Sequence, residues 1–257
     1  MMCCPEAPHD DHQPHPLSGF TVRRRLRLPG LVSSARRQGV RIFDQQILLY
    51  LDPGVAAVYS DIETVDKIDD IRHPAVRAIL QVLKPEKGLE IHHDGDLPAR
   101  SGLGSSSSFT IGLINAHYAL SGRMIGKREL AGKGIELEQN VMKEHVGSQD
   151  QIWAAYGGMN HIDFNRDDTF SVTPLIVDRA RRKELIGSLM LFFTGVSRYA
   201  TEIAEKKIAN LPNRRPQVTR LMELVDAAEG VLQNTNTPLS ELGHLLHQSW
   251  SIKRELA

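Results

Sequence analysis

The chain has 257 residues and a mass of 28.7 kDa, enough for one large domain or two small ones, each with a core of its own. Lys plus Arg and Asp plus Glu both total 31, so the formal net charge is zero and there is no global electrostatic case for a nucleic-acid partner. No apolar run approaches the roughly 20 residues of a membrane-spanning helix. The only two cysteines, Cys3 and Cys4, are adjacent, which excludes a disulfide framework or an internal CxxC metal cluster, so the expected compartment is the cytoplasm.

Residues 1–19 read as a tail. Pro5, Pro8, Pro14, Pro16 and the pair Asp10-Asp11 leave little to fill a core, and Met1 to Pro16 holds no apolar stretch that a secretory signal would need. His9, His12 and His15 give only a compositional hint of metal binding. Residues 20–41 carry Arg23, Arg24, Arg25, Arg27, Arg36, Arg37 and Arg41 without an acid, and the favoured expectation for residues 1–45 is a poorly ordered segment rather than an anion or RNA patch. Ile47 to Tyr59, broken by Pro53-Gly54, predicts two short strands around a turn. Pro74 to Leu83 predicts a short helix with Val76, Ile79, Leu80 and Leu83 on one face, and Gly88 to His93 alternates as a strand. Leu189 to Phe193 predicts a buried strand. Helices are expected from about Pro216, and from Thr237-Pro238 as N-cap and first-turn proline.

Asp96 to Ser108 (DLPARSGLGSSSS) carries the strongest signal. Gly102 and Gly104 permit positive φ and a close backbone approach to a ligand. Four serines then open a helix expected to run to about Leu120, and the free N–H groups and dipole of a helix start favour an anion. A flexible linker is the alternative, disfavoured because the stretch joins a strand to an apolar-faced helix. Leu130, Gly134, Leu137 and Val141 mark a further helix, on which Glu138 projects near the apolar side. A carboxylate there needs a partner, either a cation such as Mg²⁺ or a salt bridge. Asp150 follows a Gly-Ser turn at an apparent helix start, where it is an N-cap or a base, and Gly157-Gly158 closes that helix. A phosphate cradle, a metal carboxylate and a base within about fifty residues are what phosphoryl transfer requires.

Pro98 to Ser108 resembles the second motif of the GHMP kinases, the family of galactokinase, homoserine kinase, mevalonate kinase and phosphomevalonate kinase, written P-x-x-x-G-L-G-S-S-A/S-A/S. The resemblance implies that Pro98, Arg100, Ser101, Gly102, Leu103, Gly104, Ser105, Ser106 and Ser107 bind the phosphates of ATP. It implies that Ser106, or its neighbour Ser105, and Glu138 hold Mg²⁺, and that Asp150 orients or deprotonates the acceptor hydroxyl. The stretches Ile71 to Arg77, Gly147 to Gln151, Ala155 to Gly158, Phe193 to Arg198 and Ser249 to Lys253 resemble the branch acting on heptose phosphates, which implies transfer to the anomeric hydroxyl of a small-molecule sugar phosphate. Arg72, His73, Arg77 and Arg198 are candidates for the substrate's own phosphate. No nucleic-acid or membrane partner is expected.

The implied fold is α+β and two-part. Residues 46–165 are expected to form a nucleotide-binding half of the ribosomal protein S5 domain 2-like kind, and residues 166–257 a ferredoxin-like half that is C-terminally incomplete. The family's first motif (P-x-R-x-x-x-x-G-G-x-T-D) and its glycine-rich third motif have no counterpart here. A relative that binds nucleotide without turnover is therefore the second expectation.

Overall fold

The computed structural model describes residues 23–28, 45–51, 55–58, 62–86, 88–95, 102–192 and 214–255, the first three segments as backbone only. The chain divides into two units, Met1–Gly158 and Met159–Ala257. The division falls just after the Gly157-Gly158 pair, where α-helical structure ends and both glycines take positive φ.

In the first unit, strands β1 (Arg23–Leu28), β2 (Gln45–Leu51), β3 (Val55–Val58), β4 (Ile62–Val65) and β5 (Leu89–Gly95) form a mixed sheet of order β1-β2-β5-β3-β4. The two strands expected around Pro53-Gly54 are both present but do not pair with each other. β5 lies between them, antiparallel to β2 and parallel to β3. A local turn reading cannot foresee a strand inserted from thirty residues downstream. Arg23–Leu28, inside the stretch expected to be poorly ordered, is the edge strand β1, antiparallel to β2. Backbone pairing to an open strand edge needs no apolar side chain.

Helices α1 (Pro74–Leu83), α2 (Ser105–Leu120), α3 (Lys127–Glu136) and α4 (Gln149–Tyr156) complete the unit. α1 has the expected bounds: Pro74 occupies the first turn, and Lys84 ends the helix in a left-handed conformation. α2 is buried almost all round from Ser107 to Ile114, the signature of a central helix rather than a surface one. It packs against α1, α3, α4 and β2, and Ile79, Leu80, Leu89, Ile91, Leu113 and Ile114 form the middle of the core. α3 ends earlier than the apolar spacing suggests. A π turn over Leu137–Val141 follows it, so the expected continuous helix changes its winding at Leu137.

Gly134 sets how closely α3 approaches α2. A methyl group there would stand 2.5 Å from Ile111 Cδ1 and 3.6 Å from Gln151 Cβ. Gly134→Ala gains about 1 kcal/mol in helix propensity but overpacks a buried contact, which costs about 1–3 kcal/mol. The expected net result is a loss of roughly 1 kcal/mol in urea unfolding, reversed in the Gly134→Ala/Ile111→Val double variant, whose valine lacks Cδ1. A loss undiminished by Ile111→Val would mean that another contact limits the approach.

In the second unit, β6 (Asn160–Phe164) and β7 (Phe170–Pro174) form a hairpin, followed by α5 (Arg179–Gly187), α6 (Arg215–Gln233) and α7 (Ser240–Glu255). Asp178 caps α5, accepting from the N–H groups of Ala180 and Arg181 at 2.8 and 3.2 Å. The buried Arg181 guanidinium donates to the carbonyls of Val231 and Thr237 at 2.8 and 2.7 Å, tying α5 to the end of α6 and to the turn before α7. Pro238 precedes α7 in a tight turn instead of standing at its first position. The strand expected at Leu189 to Phe193 is not formed over its described part: Leu189 to Phe192 lie outside any strand and are exposed. Apolar character alone makes no strand without a partner edge, and among the described residues the β6–β7 ladder does not reach this run. Phe193 lies outside the described residues, as do Cys3, Cys4, the histidines of the tail, and Arg36, Arg37 and Arg41. Among the described residues, no helix is long and apolar enough to cross a membrane.

Candidate active site

The glycine-serine signal falls at the N-terminal end of α2. Gly102 and Gly104 take φ of +76° and +71°, a region L side chains rarely occupy. Gly104 is the N-cap, and the first bond inside the helix runs from the Ser108 N–H to the Gly104 carbonyl at 3.0 Å. The N–H groups of Ser105, Ser106 and Ser107 therefore have no acceptor within the helix. No acidic side chain stands in that turn, so the donors and the helix dipole combine as a site for negative charge.

Asp150 faces this loop. A methyl group on Gly104 would stand 3.2 Å from Asp150 Oδ2 and 3.3 Å from its Cγ, so the carboxylate lies directly over the α2 N-cap. Asp150 is not itself a cap: Ser148 is the N-cap of α4, and Asp150 sits inside the first turn. Burial raises its carboxyl above the ordinary aspartate value.

Glu138 lies on the π turn and is fully buried. Its Oε2 accepts from Ser107 Oγ at 2.9 Å and from Gln151 Nε2. Its Oε1 is buried with no hydrogen-bond partner among the described residues. Burial pushes the carboxyl above the ordinary glutamate value. The hydrogen bonds from Ser107 and Gln151 oppose that rise, and the charge of Glu144 adds to it. The serine that meets Glu138 is thus Ser107, whereas Ser106 is exposed. The Gly134–Ile111 approach lies one turn from the Glu138–Ser107 contact on both helices, so the same glycine that lets α3 close on α2 brings this pair together.

Gln151 is the residue that sequence reasoning missed. It is fully buried, next to Asp150, and donates to Glu138, so the first turn of α4 sends one side chain to each half of the site. The available signal was a glutamine flanked by Ile152 and Trp153 in a short helix, where only a buried partner justifies an amide.

The substrate-phosphate candidates gather at the start of α1. The buried Glu63 carboxylate accepts from the N–H groups of Arg72 and His73 at 2.8 and 3.1 Å and lies 3.5 Å from Arg72 Nε. His73 is the N-cap of α1, its Nδ1 accepting from the Val76 N–H at 3.3 Å, and its ring lies 5.7 Å from that of Phe109 on α2. Burial lowers its basicity despite the nearby Glu63 charge. Arg77 donates to the Ile71 carbonyl at 2.9 Å. All three thus have structural partners. Pro98, Arg100, Ser101 and Arg198 lie outside the described residues.

Residues 71–158, which hold the α2 N-terminus, Glu138 and Asp150, match the family profile described as the GHMP kinases N terminal domain. This segment is thus similar to the N-terminal domain of the GHMP kinases. Over 188 residues the chain is 27% identical to the D-glycero-alpha-D-manno-heptose 7-phosphate kinase of Campylobacter jejuni, covering 73% of this chain and 56% of that protein. It is also 27% identical to the mevalonate kinase of Methanothermobacter thermautotrophicus, over 79% of this chain and 72% of that one. The chain thus spans little more than half the length of the Campylobacter enzyme. The crystal structure of a D-glycero-D-manno-heptose 1-phosphate kinase from Bacteriodes thetaiotaomicron superposes with a TM-score of 0.61 at 20% identity, over 90% of this chain and 77% of that one. This likeness shows a shared α+β GHMP kinase fold, and these relatives are small-molecule kinases.

Proposed function

We propose that the protein is an ATP-dependent kinase that transfers the γ-phosphoryl group to a hydroxyl of a sugar phosphate, with the anomeric hydroxyl of D-glycero-D-manno-heptose 7-phosphate as first choice. The observation that carries the reading is the placement of the half-buried Asp150 carboxylate over the N-cap of a helix whose first three N–H groups have no acceptor within the helix. The N–H groups of Ser105 to Ser107 bind phosphate oxygens. The acceptor oxygen attacks the γ-phosphorus, the bond to the ADP oxygen breaks, and the acceptor's proton passes to the Asp150 carboxylate. A carboxyl made more basic by burial suits that task.

The residues present fit Mg²⁺. Glu138 offers a buried, unpartnered Oε1, and its neighbour Ser107 offers a hydroxyl. Mg²⁺ commonly takes only one or two protein carboxylates alongside phosphate oxygens. It would supply neutralisation of the phosphate charge. We place the protein in the cytoplasm, where ATP is at hand.

The test is ATP consumption by the purified chain with Mg²⁺ and a panel of heptose and hexose phosphates, with Asp150→Ala in parallel. Turnover with heptose 7-phosphate is expected, falling roughly 10²–10⁴-fold in the variant. Turnover undiminished by Asp150→Ala would remove the base from the proposal. Binding of Mg·ATP without turnover on any sugar would establish instead a nucleotide-binding relative.

A further inference from the structure

At the opposite end of α2 from the glycine loop, about 24 Å away along a 16-residue helix, a cavity of about 190 Å³ opens between the ends of α1 and α2, α3 and the π turn. Its floor is the buried trio Ile114, Leu137 and Tyr118. Val82 and Val141 line it with exposed apolar surface. Two cations stand on its wall: Lys133, which pairs with Glu129 at 3.9 Å, and Arg123, whose guanidinium is held 4.8 Å from the centre of the Tyr118 ring. Glu136 is exposed at the rim. His117 also lines it, and its Nδ1 is buried without a hydrogen-bond partner among the described residues.

An apolar floor beside the Arg123 guanidinium, which has no ion-pair partner among the described residues, suits a small molecule with a hydrocarbon body and a single negative head, and the phosphate chemistry proposed above uses none of these groups. The second observation is the floor's connection to the candidate active site. Leu137 and Val141, the first and last residues of the π turn, line the cavity, while Glu138 between them turns inward to Ser107 and Gln151. The backbone that closes the cavity is thus the backbone that carries the buried carboxylate, and single π turns within helices occur frequently at functional sites.

We propose that this cavity is a regulatory site for a small amphiphilic monoanion, whose binding against Leu137 and Val141 shifts Glu138 and so the affinity of the α2 N-terminus for Mg·ATP. The coupling, though not the binding, rests on the kinase reading.

The probes are hexanoate, hexan-1-ol and inorganic phosphate, titrated into the full chain and followed by the methyl NMR signals of Ile114, Leu137 and Val141. Hexanoate is expected to move these signals and to bind at least about 5-fold more tightly than hexan-1-ol, a preference that vanishes in Arg123→Ala. Equal binding of the acid and the alcohol, an equal response to phosphate alone, or an unchanged preference in Arg123→Ala would overturn the site. Saturating hexanoate is then expected to change the Kd for Mg·ATP by about 5-fold or more in the wild type and not in Arg123→Ala. An unchanged Kd would overturn the regulatory role. A chain that binds hexanoate as described but binds no Mg·ATP at all would refute the kinase reading and the regulation with it, and leave the site standing.

Discussion

Glu138→Gln is expected to raise the melting temperature of the nucleotide-free chain at neutral pH by about 2–4 °C and to abolish the proposed phosphoryl transfer. Burial raises the Glu138 carboxyl above its ordinary value of 4.5. Between the unfolded and folded pKa values the native state holds more protons than the unfolded state, so stability falls as pH rises through that window and stays reduced above it. Asp150, also raised by burial, acts in the same direction. Glutamine keeps a carbonyl oxygen to accept from Ser107 and Gln151 but carries no charge to desolvate. Thermal melts from pH 4.5 to 8 should therefore show wild-type stability declining toward neutrality, and a flatter profile in the variant. Mg·ATP should reverse the ranking, since ligand binding adds stability only to the chain that retains the carboxylate. A lower melting temperature for Glu138→Gln without nucleotide would show that the charged form is stabilised in the native state, contrary to its unpartnered Oε1.

Local chemistry made much of the first unit legible from the sequence. Pro74 at a helix start, Gly102 and Gly104 before a serine-opened helix, and Gly157-Gly158 at a helix end act through their own φ values, so reading residues one by one was enough. Non-local partnerships stayed hidden. Nothing near Val55 shows that its strand will lie parallel to one beginning at Leu89. Nothing near Ser107 shows that it, rather than Ser106, faces a carboxylate 31 positions away. The apolar spacing correctly placed Glu138 toward the interior, but a period of 3.6 carried across Leu137 cannot reveal a π turn, which keeps the same residues inward while changing the winding. Leu189 to Phe192 failed for the converse reason, since a strand needs an edge to join and composition does not supply one.

The glycine loop allows strain and collision to be separated. Gly102→Ala and Gly104→Ala each force an L side chain to φ above +70°, which costs about 1–2 kcal/mol. A methyl group at Gly102 meets nothing within 4 Å, whereas at Gly104 it lies 3.2 Å from Asp150 Oδ2. Gly102→Ala should weaken Mg·ATP binding by roughly 10-fold through strain alone. Gly104→Ala should weaken it by roughly 100-fold, because the methyl group also displaces the carboxylate or tilts the N-cap. Repeated in an Asp150→Ala background, where the obstructing atoms are gone, the Gly104 effect should shrink to that of Gly102, while the Gly102 effect should not change. Calorimetric Kd values for the two cycles give the coupling energy directly, and about 1 kcal/mol is expected for Gly104 against none for Gly102. Additive behaviour at Gly104 would place Asp150 away from the α2 N-terminus and break the geometric link between the phosphate cradle and the base. Coupling at Gly104 alone would fix that link in solution, since only a carboxylate lying over the N-cap can sense a single methyl group there.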